Sequence, residues 1–110
     1  MNLDSSINFR ITNWDEVPSE RHEGASGYAT WKVKQSGAIR VRMVEYSKNY
    51  LADHWCDKGH IIFCVEGEMV TELRDGRKFT LKKGMSYQVG DHADSHRTKS
   101  DGGVKLFIVD

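Results

Sequence analysis

Short segments of β-strand character recur along the chain, whereas helical periodicity is nearly absent. In residues 38–46 the apolar Ile39, Val41 and Met43 alternate with other residues, and this period of two predicts a strand with one apolar face. Residues 60–67, "HIIFCVEG", are apolar at odd and even positions alike, which is typical of a strand covered on both faces. The chain is therefore expected to consist mainly of β-structure.

Turn signals separate further strands in the second half of the chain. Asp75 and Gly76 form a strong hairpin signal between two apolar runs, and "KKG" predicts another turn shortly after it. A short strand, "MSYQV", is followed by a polar loop, "GDHADSH", and by a closing strand in which Val104, Leu106 and Ile108 share a face. Many short strands with frequent turns predict an all-β sandwich or barrel.

Size and charge restrict the classes of function. A chain of 110 residues with 38% hydrophobic residues fits one domain with one core. Lys+Arg and Asp+Glu are both 16, so the formal charge is zero, which argues against nucleic acid or an anionic membrane surface as a partner. The sequence shows no signal-peptide pattern and no apolar run of membrane-spanning length, so we expect a cytoplasmic protein. In a reducing compartment, clustered Cys and His indicate a metal or catalysis more often than a disulfide.

Two of the five histidines and both cysteines lie within residues 51–68. If residues 53–56 form a strand, His54 and Cys56 point to the same face. The following "DKG" predicts a tight turn, which would place His60 opposite Cys56 on the next strand. Two imidazoles and one thiol would then converge from adjacent strands.

Other residues near this cluster have less defined roles. A fourth ligand would have to come from another histidine, and the remaining three are His22, His92 and His96. Cys64 shares a strand face with His60, and it could pair with Cys56 on oxidation, stand behind the ligands as a thiol, or belong to the core. Tyr87 and Gln88 point in opposite directions along one strand, so at most one of them can line an interior pocket.

The residue types in the cluster suit a divalent transition metal. Imidazole and thiolate favour zinc, copper, nickel or iron over magnesium or calcium, and a metal would hold the cysteine as a thiolate. Three or four protein ligands could leave one position open to water or substrate, as in catalytic sites. A metal-free dyad of Cys56 and His60 is the alternative, but it lacks an orienting third group, because Asp53 would point to the other face.

The cluster resembles the first motif of the cupin superfamily. That motif reads Gly-x(5)-His-x-His-x(3,4)-Glu-x(6)-Gly, and the spacing here is His54-x-Cys56-x(3)-His60-x(6)-Gly67. Cys56 stands where the second histidine is expected, and His60 stands where the glutamate is expected. The motif's opening glycine is replaced by Lys48.

The second cupin motif is matched in part. Gly84 and Gly90 occupy the positions of its first glycine and its proline, and its histidine corresponds to His96, one residue late. His92 falls at a glycine position of the motif and competes with His96 for the role of fourth ligand. The resemblance thus completes a predicted metal set of His54, Cys56, His60 and His96.

Residues 27–110 are similar, more narrowly, to the small proteins called DHCW-motif cupin fold proteins. The resemblance implies a small jelly-roll barrel, the double-stranded β-helix of RmlC-like cupins, with a metal inside and often a homodimer. Residues 1–26 would then be an N-terminal extension that packs on the barrel or takes part in the dimer contact. That family has no assigned activity, so the resemblance implies a fold and a site but no reaction.

The departures from the cupin motif change the expected chemistry. His60 and Cys56 in place of a glutamate and a histidine remove the carboxylate and add a soft ligand, which favours zinc, nickel or copper over iron-dependent oxygen chemistry. The leading hypothesis is a metal-binding cupin that holds a small molecule in the barrel, with zinc favoured. The alternatives are a metal-dependent oxygenase, isomerase or lyase, and a metal-free binding or structural barrel in which the cluster is packing.

Overall fold

Within residues 3–110, which the computed structural model describes, the chain forms nine β-strands and one 3₁₀ helix at Trp14–Glu16. The strands are β1 (Glu20–Glu23), β2 (Tyr28–Ser36), β3 (Ile39–Tyr46), β4 (Tyr50–Leu51), β5 (His60–Leu73), β6 (Lys78–Lys82), β7 (Ser86–Val89), β8 (His96–Ser100) and β9 (Val104–Val109). Residues 1 and 2 of the expected N-terminal extension lie outside the described residues, and the rest of that extension contributes β1, which pairs with β2. None of the helices in residues 3–110 is long and apolar enough to cross a membrane.

All strand pairs are antiparallel, in the order β1-β2-β3-β9-β5-β8-β4. The 14-residue strand β5 belongs to two sheets, because its first half pairs with β7 and β9 and its second half with β6 and β8. The ladder between β5 and β9 shifts register between Cys64 and Glu66, and such irregularities bend a strand. The sheet therefore curls around one core, and the predicted all-β jelly-roll class is confirmed.

The core lies between the curled sheets. Its buried members come from β3, β5, β6 and β9, namely Val44, Ile62, Cys64, Met69, Leu81, Val104, Leu106 and Ile108. The face shared by the residues of β9 is confirmed as a buried face. Cys64 has no exposed surface and packs in this cluster. It forms no disulfide with Cys56, since both cysteines are free.

The interior face of β3 differs from the predicted one. The period of two predicted Ile39, Val41 and Met43 as the core face, but the buried residues of this strand are Arg42 and Val44. Arg42 is only 4% exposed. The alternation of the strand is correct, yet the arginine face turns inward because a buried carboxylate binds it, as described below.

The outer face of β5 is exposed, contrary to the prediction that both faces are covered. Ile62 and Cys64 point into the core, whereas Ile61, Phe63 and Val65 are 45%, 43% and 37% exposed. Nothing in residues 3–110 covers these apolar side chains fully. A second copy of the chain would remove them from water, and the expected homodimer stays a prediction that light scattering can measure.

The turns predicted at residues 75–76 and 82–84 and most of the predicted strands are confirmed. Gly76 closes the hairpin between β5 and β6, with its N–H donating to the carbonyl of Leu73 at 2.9 Å. Strands β1, β2, β4 and β8 were not predicted from the sequence. Strand β8 lacks an apolar pattern because its inward residues, His96, Thr98 and Ser100, are all polar and nevertheless buried.

At the bend of β5, Gly67 is the glycine whose replacement by alanine is expected to lower the free energy of unfolding most. Its φ is +83°, and an added Cβ would collide with the carbonyl oxygen of Gly103. Gly84 is a matched control, because its φ is +85° but an added Cβ would meet nothing within 4 Å. Gly84→Ala should lower the free energy of unfolding by about 1–2 kcal/mol, the cost of the left-handed backbone alone, and Gly67→Ala should lower it further. Urea unfolding measures both, and equal losses would contradict the collision.

Candidate functional site

Three metal-ligating side chains meet at one end of the barrel. Cys56, His60 and His96 each offer a ligand atom, and these atoms all lie within 4.8 Å of one another. The Sγ of Cys56 is 3.4 Å from Nε2 of His60, and the two imidazole rings meet edge to face with centroids 5.2 Å apart. Both histidines are nearly buried, and Cys56 is partly exposed. The group can therefore hold one metal ion with access to solvent.

Backbone pairing between distant segments brings Cys56 to His96. The N–H of Cys56 donates to the carbonyl of His96 at 2.7 Å, and the N–H of His96 donates back at 3.0 Å. Cys56 is thus held by an isolated bridge to the first residue of β8. His60 begins β5 and pairs with Val89 of β7, which fixes its side chain on the same inner side.

The predicted strand at residues 53–56 and the hairpin that follows it are wrong. Asp53 and His54 form a bend, and the strand partner of Cys56 is His96 rather than His60. The hairpin does not close because residues 57–59 instead bond to the loop before β8. Gly59 donates to the carboxylate of Asp91 at 2.7 Å, and the carbonyl of Asp57 accepts from the N–H of His92 at 2.8 Å.

His54 and His92, both considered as ligands from the sequence, lie away from the group. The side chain of His54 is 73% exposed, and its Nδ1 is 2.6 Å from the carboxylate of Asp53. Because the bend replaces the strand, His54 no longer shares a face with Cys56. His92 occupies an exposed turn with φ of +59°. Of the predicted set, the structure thus brings together Cys56, His60 and His96.

Each histidine of the group is fixed by a hydrogen bond from its other ring nitrogen. His60 has Nδ1 at 2.9 Å from the carboxylate of Asp110, and His96 has Nδ1 at 2.9 Å from the carbonyl of Asp94. These acceptors hold the proton on Nδ1 and leave Nε2 of each ring for a metal. Metal-binding histidines almost always have such an outer partner, so the donor set fits an ion.

Asp110 is the site residue that sequence reasoning missed. Its carboxylate is fully buried and binds Arg42 at 2.7 Å and Arg40 at 3.0 Å in addition to His60. Burial alone would raise the pKa of Asp110, but these partners outweigh it and lower the pKa. The sequence does contain a signal that Asp110 points inward, because it continues the alternation of Val104, Leu106 and Ile108 on the inner face of β9.

The two imidazoles change the acidity of the thiol between them. Bonding to His60 and His96 lowers the pKa of Cys56 to about 5. Burial would lower the pKa of His60, but Asp110 and Cys56 together raise it, and Cys56 is the main cause of the raised pKa of His96. At neutral pH Cys56 is therefore a thiolate beside two histidine rings, which suits a borderline or soft metal ion rather than a hard one.

The acidity of Cys56 predicts the pH dependence of its alkylation in chelator-treated protein. As the pH rises through about 5 the thiol loses its proton, so reaction with iodoacetamide should have its midpoint near that pH instead of near about 8.5, the value for an ordinary cysteine. Cys64 is the internal control, because burial raises its pKa and shields it. Mass spectrometry follows both cysteines, and an ordinary midpoint for Cys56 would contradict the described contacts.

Two cavities adjoin the group. A cavity of about 330 Å³ lies beside His96 and is lined by Tyr87, whose hydroxyl is buried. Burial raises the pKa of Tyr87 to about 12, so this phenol keeps its proton at neutral pH. A wider groove of about 640 Å³ lies beside His60. Gln88 contributes to both walls but is itself exposed, so Tyr87 is the interior member of the pair.

Comparisons with solved structures identify the architecture. The chain is similar to a predicted oxalate decarboxylase of Thermotoga maritima, with a TM-score of 0.76, 15% identity, and 91% of this chain and 96% of that one covered. It is also similar to an RmlC-like cupin of Shewanella frigidimarina, with a TM-score of 0.71, 18% identity, and coverage of 94% and 91%. Ectoine synthase of P. lautus gives a TM-score of 0.74 at 13% identity, with coverage of 92% and 76%.

No protein-family model matches the sequence, and no curated protein matches it. The likeness is therefore one of three-dimensional structure at low identity, and it covers most of the chain in each case. The cupin resemblance seen in the sequence is confirmed at the level of architecture, and this chain has the cupin fold.

Proposed function

We propose that this protein is a metal-binding cupin in which Cys56, His60 and His96 hold one divalent transition metal ion beside a cavity for a small organic molecule. The observation that carries the proposal is the convergence of these three side chains with Nδ1 of each histidine already bonded to an outer acceptor. Metal-binding histidines almost always have such an outer partner, so this arrangement supports the proposal.

Zinc is the favoured ion. One thiolate and two imidazoles are ligands of known zinc sites, and no carboxylate among residues 3–110 belongs to the group. Three protein ligands leave a fourth position for water or for a ligand from the cavity, which is the pattern of catalytic rather than structural zinc sites. A bound ion would supply Lewis acidity there.

The chain's own residues have separable tasks in this proposal. His60 directs its Nε2 to the thiolate, Asp110 fixes the orientation of His60, and His96 brings a ligand atom within 4.8 Å of both. Arg40 and Arg42 keep the Asp110 carboxylate charged and in place. Tyr87, which stays protonated, can donate a hydrogen bond to a molecule in the cavity.

Metal-free thiol chemistry is the second candidate, and Asp110 is the observation that favours it. Cys56, His60 and Asp110 form a chain of contacts at 3.4 Å and 2.9 Å, which supplies the orienting carboxylate that the sequence lacked. A nucleophile needs only one such base, however. The second imidazole, His96, has no task in this scheme and has one in metal binding, so we rank thiol chemistry second.

Elemental analysis of protein purified without an affinity tag tests the metal proposal. We expect close to one equivalent of a transition metal, lost on chelation and restored by titration with zinc. Less than about a tenth of an equivalent of any transition metal, with no uptake on titration, would reject metal binding and leave thiol chemistry as the candidate.

A further inference from the structure

The cavity beside His96 has a mainly apolar wall. Its volume of about 330 Å³ is roughly twice that of a cavity of about 150 Å³ that accepts benzene, so it has room for a fused or substituted aromatic ring. Leu73, Leu81 and Val89 contribute to its wall. Phe79 and Met85 also line it and are 51% and 47% exposed, so its mouth has an apolar rim.

Two hydroxyl groups in this wall lack hydrogen-bond partners. Thr71 is only 5% exposed, and its Oγ1 has no partner among the described residues. The hydroxyl of Tyr87 has no partner at full hydrogen-bond geometry either, although it lies close enough to Thr71 for this contact to oppose the rise in its pKa. A buried hydroxyl without a well-formed hydrogen bond destabilises the fold. Both oxygen atoms are buried, so a ligand oxygen would reach them after a small opening of the cavity wall and would then satisfy both groups.

The charges around the cavity favour an uncharged ligand. Among residues 3–110, those that line it include no Lys or Arg. Its carboxylate, Asp94, lies at the surface, where Arg77 is 3.6 Å away. An anion would therefore leave water without gaining a Lys or Arg partner from the cavity wall.

The groove beside His60 is a weaker candidate for selective binding. It is wide and its polar groups are already engaged, since Asp91 accepts from Gly59 and Asp110 binds two arginines. None of the unpartnered buried atoms in residues 3–110 belongs to its lining. The unpaired hydroxyls lie only beside His96.

We propose that the cavity beside His96 binds an uncharged, largely apolar aromatic molecule that carries a hydroxyl group, and that Thr71 and Tyr87 select this group. The proposal rests on the metal-binding function in one respect, since His96 belongs both to the metal group and to the cavity wall. The selecting hydroxyls belong to β5 and β7, and a cavity of this kind can bind its ligand without the metal.

Three probes with the same ring system test the ligand class. 2-Naphthol, naphthalene and 2-naphthoate are titrated by fluorescence into metal-loaded protein and into chelator-treated protein. We expect 2-naphthol to bind about fivefold to tenfold more tightly than naphthalene, as one net hydrogen bond allows. In chelator-treated protein, where no metal ion can bind the carboxylate, we expect 2-naphthoate to bind more weakly than either. Tyr87→Phe and Thr71→Val keep the side-chain shape. They should reduce the affinity for 2-naphthol to that for naphthalene without lowering the affinity for naphthalene.

The outcomes separate this proposal from the metal proposal. Equal binding of 2-naphthol and naphthalene, no binding of any probe, or tighter binding of 2-naphthoate than of 2-naphthol to chelator-treated protein would overturn the ligand class. Selective binding of 2-naphthol by protein that takes up no metal would support the cavity and reject the metal site. If a variant fails to fold, as judged by its melting transition, the ranking of the three probes on the unaltered protein decides.

Discussion

Asp110→Asn is expected to lower the free energy of unfolding by about 3–5 kcal/mol. The change keeps the shape of the side chain but removes the negative charge that pairs with Arg42, whose side chain is 5% exposed, and with Arg40. Removing one partner of a buried ion pair leaves an uncompensated charge, which accounts for the size of the loss. Urea or thermal unfolding of metal-free protein measures it.

A double variant is the control for this explanation. Arg42→Met removes the most buried cation, so the combined Asp110→Asn and Arg42→Met variant should recover part of the stability that Asp110→Asn alone loses. If the double variant loses the full sum of the single changes, the unpaired charge is not the cause. A loss below about 1 kcal/mol for Asp110→Asn would contradict the buried pair itself.

The same substitution should also weaken metal binding. The Asp110 carboxylate accepts from Nδ1 of His60 and so fixes the ring with Nε2 toward Cys56. Changing an outer partner of this kind typically costs about 10- to 100-fold in metal affinity. Competition with a chelator of known affinity measures the change, and an unaltered affinity would show that His60 is held by other contacts.

Cys56→Ser is expected to reduce zinc affinity by more than the roughly 100-fold upper bound for an outer partner. The substitution removes the thiolate, the one soft ligand of the group, and leaves two imidazoles and a weak hydroxyl. Chelator competition or calorimetric titration with zinc measures the affinity. The stability of the metal-free protein should change little, because Cys56 is partly exposed.

Two matched variants make this test specific. Cys64→Ser replaces the other cysteine, which lies in the core, so it should cost stability and leave zinc binding intact. His54→Ala removes the histidine that the sequence motif singles out but that lies 73% exposed, and it should leave both properties intact. Loss of zinc in His54→Ala would show that the bend at Asp53 rearranges to bring this histidine in.

The strands were predictable wherever apolar and polar residues alternate. Strand β9 follows this rule because Val104, Leu106 and Ile108 face the core. Strand β8 was not predictable, since Thr98 and Ser100 face inward although they are polar. The inward face of β3 was mispredicted for a related reason, because the period of two is the same for both faces and only a distant carboxylate decides between them.

The candidate site was predictable in its residue types and only partly in its geometry. Spacing placed Cys56 near His60, and the structure has their side chains 3.4 Å apart, but through a different path from the expected hairpin. The actual path runs through the bridge from Cys56 to His96. Such pairing between segments 40 positions apart carries no local signal, and the same applies to the bond between His60 and Asp110.

The position of β9 between β3 and β5 has a consequence for the order of folding. Val109 of β9 pairs with Val41 of β3 on one side and with Ile61 of β5 on the other. Both partner strands are far from β9 in the sequence. Loop closure over such distances is slow, and folding is expected on a timescale of milliseconds to seconds. Asp110 reaches His60 only after this closure, so a bound metal should slow unfolding far more than it speeds refolding.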